Sequence, residues 1–522
     1  MTSLSVLVPV FDEQHLVAAS LARLEALEQS PHLDRIQVIV VDDSSRDGTA
    51  GALAAFARAR GVELGPAAPH APRGSGHGPI EAVERGRGRT GRIEWVFLRH
   101  ARNGGKGAAI RTGLARADCD ISVVHDADLE YHPRDLARIV EVFVEEQADA
   151  VFGSRFAGGA RRRVLLYRHQ LGNRLLTFLV NLVTNLNLTD METCYKAVRT
   201  DLLQSIPFFS NDFRIEPEIA IKLAKREARL FEVPISYSGR TYQEGKKIDW
   251  KDGFAALWAI LRFTFSDRVY TADAYGSHIL GRLSRAPRFN AWMADVVRPF
   301  CGKRVLEIGS GTGNLTRRLV PRDRYVASDV NPLYLHTLQT LTADRPYLTA
   351  QHCDVTDPAT FPRIDGGFDT VVCLNVVEHV DDDKGALENI RAVLSESGRA
   401  IVLVPQGPWL FGTLDEVLGH KRRYDEQGLR KVAAAAGFHV TAIVPFNRMS
   451  SIPWWLSGRV LRRRTFGLLQ MLVVNWLTPL FRLVDRWLPL PPLSLIAVLE
   501  PRPALSAGQT IDMASERRTS RP

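Results

Sequence analysis

Short apolar runs alternate along this chain with longer stretches in which apolar residues return every three or four positions. LSVLVPV (4–10) precedes a helical pattern over 16–27, and IQVIVVDD (36–43) precedes another over 48–60. A short β-branched run followed by an amphipathic helix, repeated, predicts βαβ units with a parallel sheet. The rhythm breaks at 61–92, which is rich in Gly, Pro and Arg and lacks a hydrophobic period, so it is expected to be a mobile insertion loop. It resumes at 94–98, passes through ISVVHDAD (121–128), runs to about residue 237, and closes on an amphipathic helix over 250–265. A second alternation opens at KRVLEIGSGTGN (303–314) and continues through YVASDV, LTAQHCDV, FDTVVCLN, RAIVLVP and HVTAIV. The expected organisation is an α/β chain of two domains, 1–265 and 286–500, with a linker at 266–285 and a disordered tail at 501–522.

Composition changes this picture little. At about 150 residues per domain, 522 residues suit two large α/β domains as well as three smaller ones. With 45% hydrophobic and 24% charged residues the chain is an ordinary globular one, not a disordered or collagen-like one. The net charge of +9 favours acidic ligands such as nucleotides, lipid phosphates or an anionic membrane face, and does not call for nucleic acid. Five isolated cysteines form no CxxC pair, so neither a zinc ribbon nor a disulfide framework is expected, and the compartment is expected to be a reducing cytoplasm. No signal peptide is expected ahead of 4–10. The longest apolar stretch, 467–481, is only 15 residues and holds Gln470, Asn475 and Pro479, too short and too polar to span a bilayer.

Candidate chemistry gathers at strand ends. Glu13 follows the first strand, Asp42 and Asp43 the second, and Asp126 and Asp128 the run ISVV. In an open α/β sheet, ligands collect at the carboxyl edge of the strands, so these acids should face one crevice. A DxD pair there can hold Mg²⁺ or Mn²⁺ and leave positions for a diphosphate, although a solvated turn has the same spelling. In the second half a glycine-rich turn follows a strand and opens a helix, with Asp329 about 20 residues on, an arrangement that serves either NAD or S-adenosylmethionine.

The ordered motifs VLVPVFDE, VVDDSSRDGT, NGGKGAAIRTGL, HDADLEYHP, GSRF, DMETCYK, FRIEPEI and EVPISYSGRTYQEGKK resemble family 2 glycosyltransferases of the GT-A fold, in the dolichol-phosphate mannose synthase branch, over about 3–265. The resemblance implies that Pro9, Phe11, Glu13, Val41 and Asp43 contact the base and ribose of a nucleotide sugar. It implies that Asp126, Ala127 and Asp128 meet the diphosphate and metal, with Glu130 as a third ligand where many relatives carry Gln. Arg155, Arg240 and Lys246 would neutralise the diphosphate and the acceptor. Transfer with inversion needs a leaving group stabilised by a metal and cations, which Asp126, Asp128, Arg240 and Lys246 would supply. A polyprenyl-phosphate acceptor is already an anion and needs no base; a glycan hydroxyl would need Asp190 or Glu216. Arg168, in RRRVLLYRHQ, stands where lipid-phosphate synthases place an acceptor arginine, or in a solvated basic turn.

VLEIGSGTGN, QHCDVTD and FDTVVCLNVVEHVDD resemble class I methyltransferases over about 286–500. The resemblance implies an S-adenosylmethionine site at Glu307, Gly309, Gly311, Gly313, Asp329, Asp354, Val355 and Asn375, with His379 as a candidate base or as a structural histidine. GHKRRYD (419–425) would receive an anionic substrate or be a plain basic loop. FHVTAIV and LSLIAVLEPR should form the terminal hairpin, interrupted by a helical pair at 450–490 whose Trp, Leu and Arg suit either a membrane interface or packing on the domain or on a second subunit. The chain therefore reads as a bifunctional transferase, cytoplasmic or peripheral on the inner membrane face. The alternatives are glycosylation of a glycan hydroxyl followed by its O-methylation, or one half serving only as a binding scaffold.

Overall fold

The computed structural model describes residues 2–65, 81–158, 163, 167–239, 250–266, 286–342, 345–463 and 468–502. The chain divides into two compact units, Met1–Asp273 and Ala274–Pro522. Of the expected tail at 501–522, Pro501 ends a strand, and residues 503–522 and most of the expected linker lie outside the described residues.

In the first unit, β1 (Thr2–Val10), β2 (Leu33–Asp42), β3 (Ala82–Thr90), β4 (Ile93–His100), β5 (Ile121–Val124), β6 (Ala150–Ser154), β7 (Lys196–Arg199) and β8 (Leu230–Pro234) form one sheet. Its order is β3-β4-β2-β1-β5-β7-β6-β8. The run β4-β2-β1-β5 is parallel, and its strands are apolar on both faces, as helix-covered parallel strands must be. Leu4, Val6, Leu7 and Val8 of β1 and Val38 to Val41 of β2 are all buried. Strand order reverses between β1 and β5, which places the ligand crevice at their carboxyl ends.

The expected loop at 61–92 is corrected in part. Ala82–Thr90 is an edge strand, antiparallel to β4. Its sequence AVERGRGRT has no apolar period, because its outer edge and much of its surface face solvent. Pairing with β4 supplies the order that composition does not. Gly86 and Gly88 allow residues 62–64 to cross the strand: a Cβ at Gly86 would stand 2.5 Å from the Glu63 carbonyl oxygen, and one at Gly88 2.5 Å from Val62.

Two helices of this unit pack together with one face each left open. In the helix Trp250–Phe265, Ala256, Ala259, Ile260 and Phe263 are buried while Phe254, Leu257, Trp258, Leu261 and Phe265 are exposed. In the helix Tyr167–Thr184, Leu171, Leu175, Phe178 and Leu182 are exposed at the same helical spacing. Lys225 Nζ binds the carbonyl oxygens of Thr264 and Ser266 at 2.9 and 2.6 Å, satisfying the end of the first of these helices.

In the second unit, β9 (Arg304–Ile308), β10 (Arg324–Asp329), β11 (Leu348–His352), β12 (Phe368–Leu374), β13 (Leu394–Pro405), β14 (Phe438–Phe446) and β15 (Ser494–Pro501) run in the order β11-β10-β9-β12-β13-β15-β14. Five strands are parallel, and β15 is antiparallel to both β13 and β14, the expected terminal hairpin. The insertion between the hairpin strands includes the helix Leu468–Val484, and it carries features of both sequence readings. Phe481 is buried and Val474 and Leu477 pack beside it, Asn475 Oδ1 accepts from the Arg288 backbone N–H at 2.8 Å, and Arg482 pairs with Asp295 at 2.6 Å. Trp476, Leu480, Leu483 and Trp487 on the opposite side are exposed. Among the described residues no helix is long and apolar enough to cross a membrane.

Candidate functional site

The carboxyl ends of β1, β2 and β5 bring the first unit's acids to one edge. Pro9 and Val41 pair across β1 and β2. Val41 and Ala127 are buried. Phe11 lies 6.0 Å from the Arg46 guanidinium, and the Glu13 backbone N–H is fixed by Thr49 Oγ1 at 2.8 Å.

Asp43 is differently occupied than the sequence suggests. Its two carboxylate oxygens accept from Gly104 N (2.8 Å), Gly105 N (2.7 Å) and Asn103 Nδ2 (2.9 Å), and His100 Nδ1 lies 2.6 Å away. All four lone-pair directions are used inside the protein, so in this conformation Asp43 shapes the loop 100–105 and has no free oxygen for a base or ribose.

Beyond β5, His125 is buried between Tyr195 and Ser20, and burial lowers its pKa to about 4, so it is neutral. Asp126 turns the other way, to Lys106 at 3.0 Å; Lys106 reaches Glu216 Oε1 at 3.0 Å, and Glu216 Oε2 meets Lys196 at 2.6 Å. Burial alone would raise Asp126, but Lys106 outweighs it and holds the carboxyl below its ordinary value. Burial alone would lower Lys106, and Asp126 with Glu216 holds it well above. Beside this alternating row lies Glu192, which burial pushes up to about 7. Lys106, Lys196 and Glu192 were not singled out from the sequence, although NGGKG and DMETCYK contain them.

Asp128 accepts from the Glu130 backbone N–H at 3.1 Å. Oxygen-only donors at Asp126 and Asp128 suit a hard divalent ion. Glu130 is corrected as a third ligand: Leu129 adopts φ 65, the Glu130 carboxylate accepts from the Tyr237 hydroxyl at 2.6 Å, and the three acids do not close into a three-donor cluster among the described residues.

Asp190 and Arg155 are corrected together. The Arg155 guanidinium binds Asp190 through Nε (2.6 Å) and Nη2 (2.8 Å), its backbone N–H adds a third bond at 3.0 Å, and Asn173 a fourth at 3.0 Å. Burial would raise Asp190, but Arg155 keeps it below its ordinary value. A buried, four-fold bonded carboxylate held ionised is an anchor and a poor base, and it draws Arg155 away from a diphosphate role. Glu216, the other hydroxyl-base candidate, is likewise paired on both oxygens. Arg240 and Lys246 lie outside the described residues, and Arg168 is placed at the start of the helix Tyr167–Thr184 with its side chain outside them.

In the second unit the turn after β9 has Gly309, Gly311 and Gly313 at φ 73, 55 and 78. These left-handed positions favour glycine, and a Cβ at Gly309 would also collide with Val376. Asp329, at the end of β10, accepts from Gly311 N at 2.8 Å and Asn331 N at 2.9 Å, tying the turn to the neighbouring strand. Asp354 Oδ1 accepts from Thr356 N and Oγ1 at 2.8 and 2.7 Å. Val355 is buried with its carbonyl bound by Asn389, and Asn375 is exposed at the end of β12 with φ 56. Glu307 is corrected: it is buried, accepts from Thr316 Oγ1 (2.6 Å) and the Tyr325 hydroxyl (2.8 Å), and is raised by that burial, so it braces the strand from within.

His379 is also a weaker base than its sequence position suggests, since burial, aided by His420, lowers it to about 4. The basic run nearby is neutralised internally. Lys421 pairs with Asp381, Arg422 with Asp383 at 2.9 Å and Arg423 with Asp415 at 2.8 Å, which removes the reading of three cations awaiting an anion.

Residues 5–86 and 90–206 match the family described as glycosyl transferase family 2, and residues 306–400 match a methyltransferase domain family. Over 253 residues the chain is 28% identical to an undecaprenyl-phosphate mannosyltransferase of Micrococcus luteus, covering 46% of this chain and 85% of that protein. Over 171 residues it is 26% identical to a UDP-N-acetylglucosamine–dolichyl-phosphate N-acetylglucosaminyltransferase of Methanococcus voltae, covering 32% and 68%. Among solved structures, glucosyl-3-phosphoglycerate synthase of Mycobacterium tuberculosis, in complex with Mn²⁺, UDP and phosphoglyceric acid, aligns at 17% identity and a TM-score of 0.34, over 53% of this chain and 81% of that one. The chain joins two transferase domains, a family 2 glycosyl transferase domain followed by a methyltransferase domain.

Proposed function

We propose that the first domain transfers a sugar, with inversion and with a divalent metal, from a nucleotide sugar to a polyprenyl-phosphate-type acceptor, and that the second methylates a small molecule or glycan from S-adenosylmethionine. The observation that carries the acceptor reading is the open apolar face of the first domain's two packed helices, with Leu171, Leu175, Phe178 and Leu182 on one and Phe254, Leu257, Trp258, Leu261 and Phe265 on the other. Such faces sink into the headgroup boundary, where a lipid phosphate resides. The relatives whose names specify polyprenyl-phosphate acceptors point the same way.

Asp126 and Asp128 would hold the metal, which when bound neutralises charge on the leaving nucleoside diphosphate. Lys106 supplies a fixed cation beside Asp126. The acceptor phosphate is its own nucleophile, which agrees with Asp190 and Glu216 both being committed to ion pairs. Radiolabelled sugar should partition into the organic phase when polyprenyl phosphate is offered; label that stays in a water-soluble glycan would favour the hydroxyl reading.

Membrane association should be peripheral. The protein is expected to sediment with anionic vesicles at low salt and to be released by salt, since charge attraction is screened within about 8 Å at physiological ionic strength. Failure to sediment at low salt would remove the interfacial reading.

In the second domain, Asp329 would accept from the ribose hydroxyls of the cofactor while it holds Gly311. Each bond to a charged group is worth roughly 1.5 to 3 kcal/mol, so Asp329→Ala should weaken S-adenosylhomocysteine binding at least tenfold in calorimetry of the full chain. Unchanged affinity would place the cofactor elsewhere.

A further inference from the structure

Four residues past the end of β12, Glu378 and His379 meet His420, which follows the helix Thr413–Leu418. One ligand atom from each lies within 4.8 Å of the other two. Glu378 is fully buried, and neither of its carboxylate oxygens has a hydrogen-bond partner. His420 Nε2 is 3.9 Å from Oε1, too far for a hydrogen bond. A carboxylate orphaned at that depth is costly unless something cationic meets it.

Each imidazole keeps one nitrogen with a lone pair. A carbonyl oxygen only accepts, so His379 Nδ1, 3.2 Å from the Gly419 carbonyl, carries the proton and leaves Nε2 with a lone pair. His420 Nδ1 lies 2.8 Å from Asp415 Oδ1, which again leaves Nε2 open, and Asp415 is itself held by Arg423 at 2.8 Å. A carboxylate or carbonyl behind each ring is the arrangement that fixes tautomer and aim in metal-binding histidines. Two imidazole nitrogens and one carboxylate match the donor preference of divalent transition metals, leave coordination positions open, and differ from the oxygen-only pair at Asp126 and Asp128.

We propose that Glu378, His379 and His420 bind a divalent transition-metal ion at the carboxyl edge of the methyltransferase sheet. The site is built wholly from residues of the second unit and does not depend on which molecule is methylated.

The test uses the full chain carrying Asp126→Asn and Asp128→Asn, so that the first domain's acids do not contribute. After stripping with chelator and dialysis against Zn²⁺, this protein should retain one ion per chain, and Co²⁺ in its place should give visible ligand-field absorption. Adding His379→Ala and His420→Ala should remove that ion and the absorption, and Glu378→Gln, which preserves shape, should weaken Zn²⁺ at least tenfold. Retention of the ion by the histidine variant would overturn the assignment. Absence of both bound Zn²⁺ and Co²⁺ absorption in the starting protein would overturn it too, whether or not the histidine variants fold.

Discussion

Asp128→Ala is expected to lower sugar transfer by at least about 100-fold while methyl transfer by the same preparation stays unchanged. The leaving nucleoside diphosphate develops negative charge as the anomeric bond breaks, and removing one preorganised element of charge stabilisation typically costs on the order of 10²–10³ in rate. Asp128 sits in the partly exposed turn beyond β5, where it accepts from the Glu130 backbone N–H, and circular dichroism of the variant should match that of the parent. Lys106 remains beside Asp126, and its single charge would not replace the divalent ion that the proposed mechanism requires. Sugar transfer at the original rate in the variant, or full activity of the unmodified enzyme in excess chelator, would sink the metal-dependent mechanism.

Asp190→Ala is expected to act on stability. It removes the carboxylate that the largely buried Arg155 guanidinium and the Asn173 amide both bind. Breaking one side of a buried pair typically costs about 3 to 5 kcal/mol, because the surviving charge stays desolvated. In denaturant unfolding followed by probes of each domain, the first domain's transition should move to lower denaturant while the second's holds still. A base for a hydroxyl acceptor would behave in the opposite way, losing activity with its stability intact. A shift below about 1 kcal/mol would therefore return Asp190 to the catalytic candidates.

Much of the architecture was legible because parallel strands buried on both faces write themselves as unbroken apolar runs, and both sheets have four or five of these. The motif glycines were equally readable, since Gly309, Gly311 and Gly313 occupy backbone conformations other residues avoid. What the sequence could not convey is how a carboxylate is occupied. Asp43, Asp190 and Glu307 look like ligand-facing acids in a motif, and each is bonded inward by groups from 9 to more than 60 positions away. Glu192, Lys106 and Glu378 were passed over for the converse reason: their character comes from burial beside partners that no local spacing announces. The open face of the helix Tyr167–Thr184 was hidden by its mixed polarity, and shows only when the opposite side is seen packed.

The arginines of β3 also bear on how this protein behaves at high concentration. An unpaired strand at a sheet edge is a template onto which another chain can add. Here Arg85, Arg87 and Arg89 alternate along that edge, and Arg85 holds the Gly65 carbonyl against it while Gly65 N–H returns a bond to the Arg85 carbonyl. A second copy approaching this edge would have to displace the crossing segment. The composition that made 82–90 look unstructured thus seats the segment that covers this one edge of the sheet.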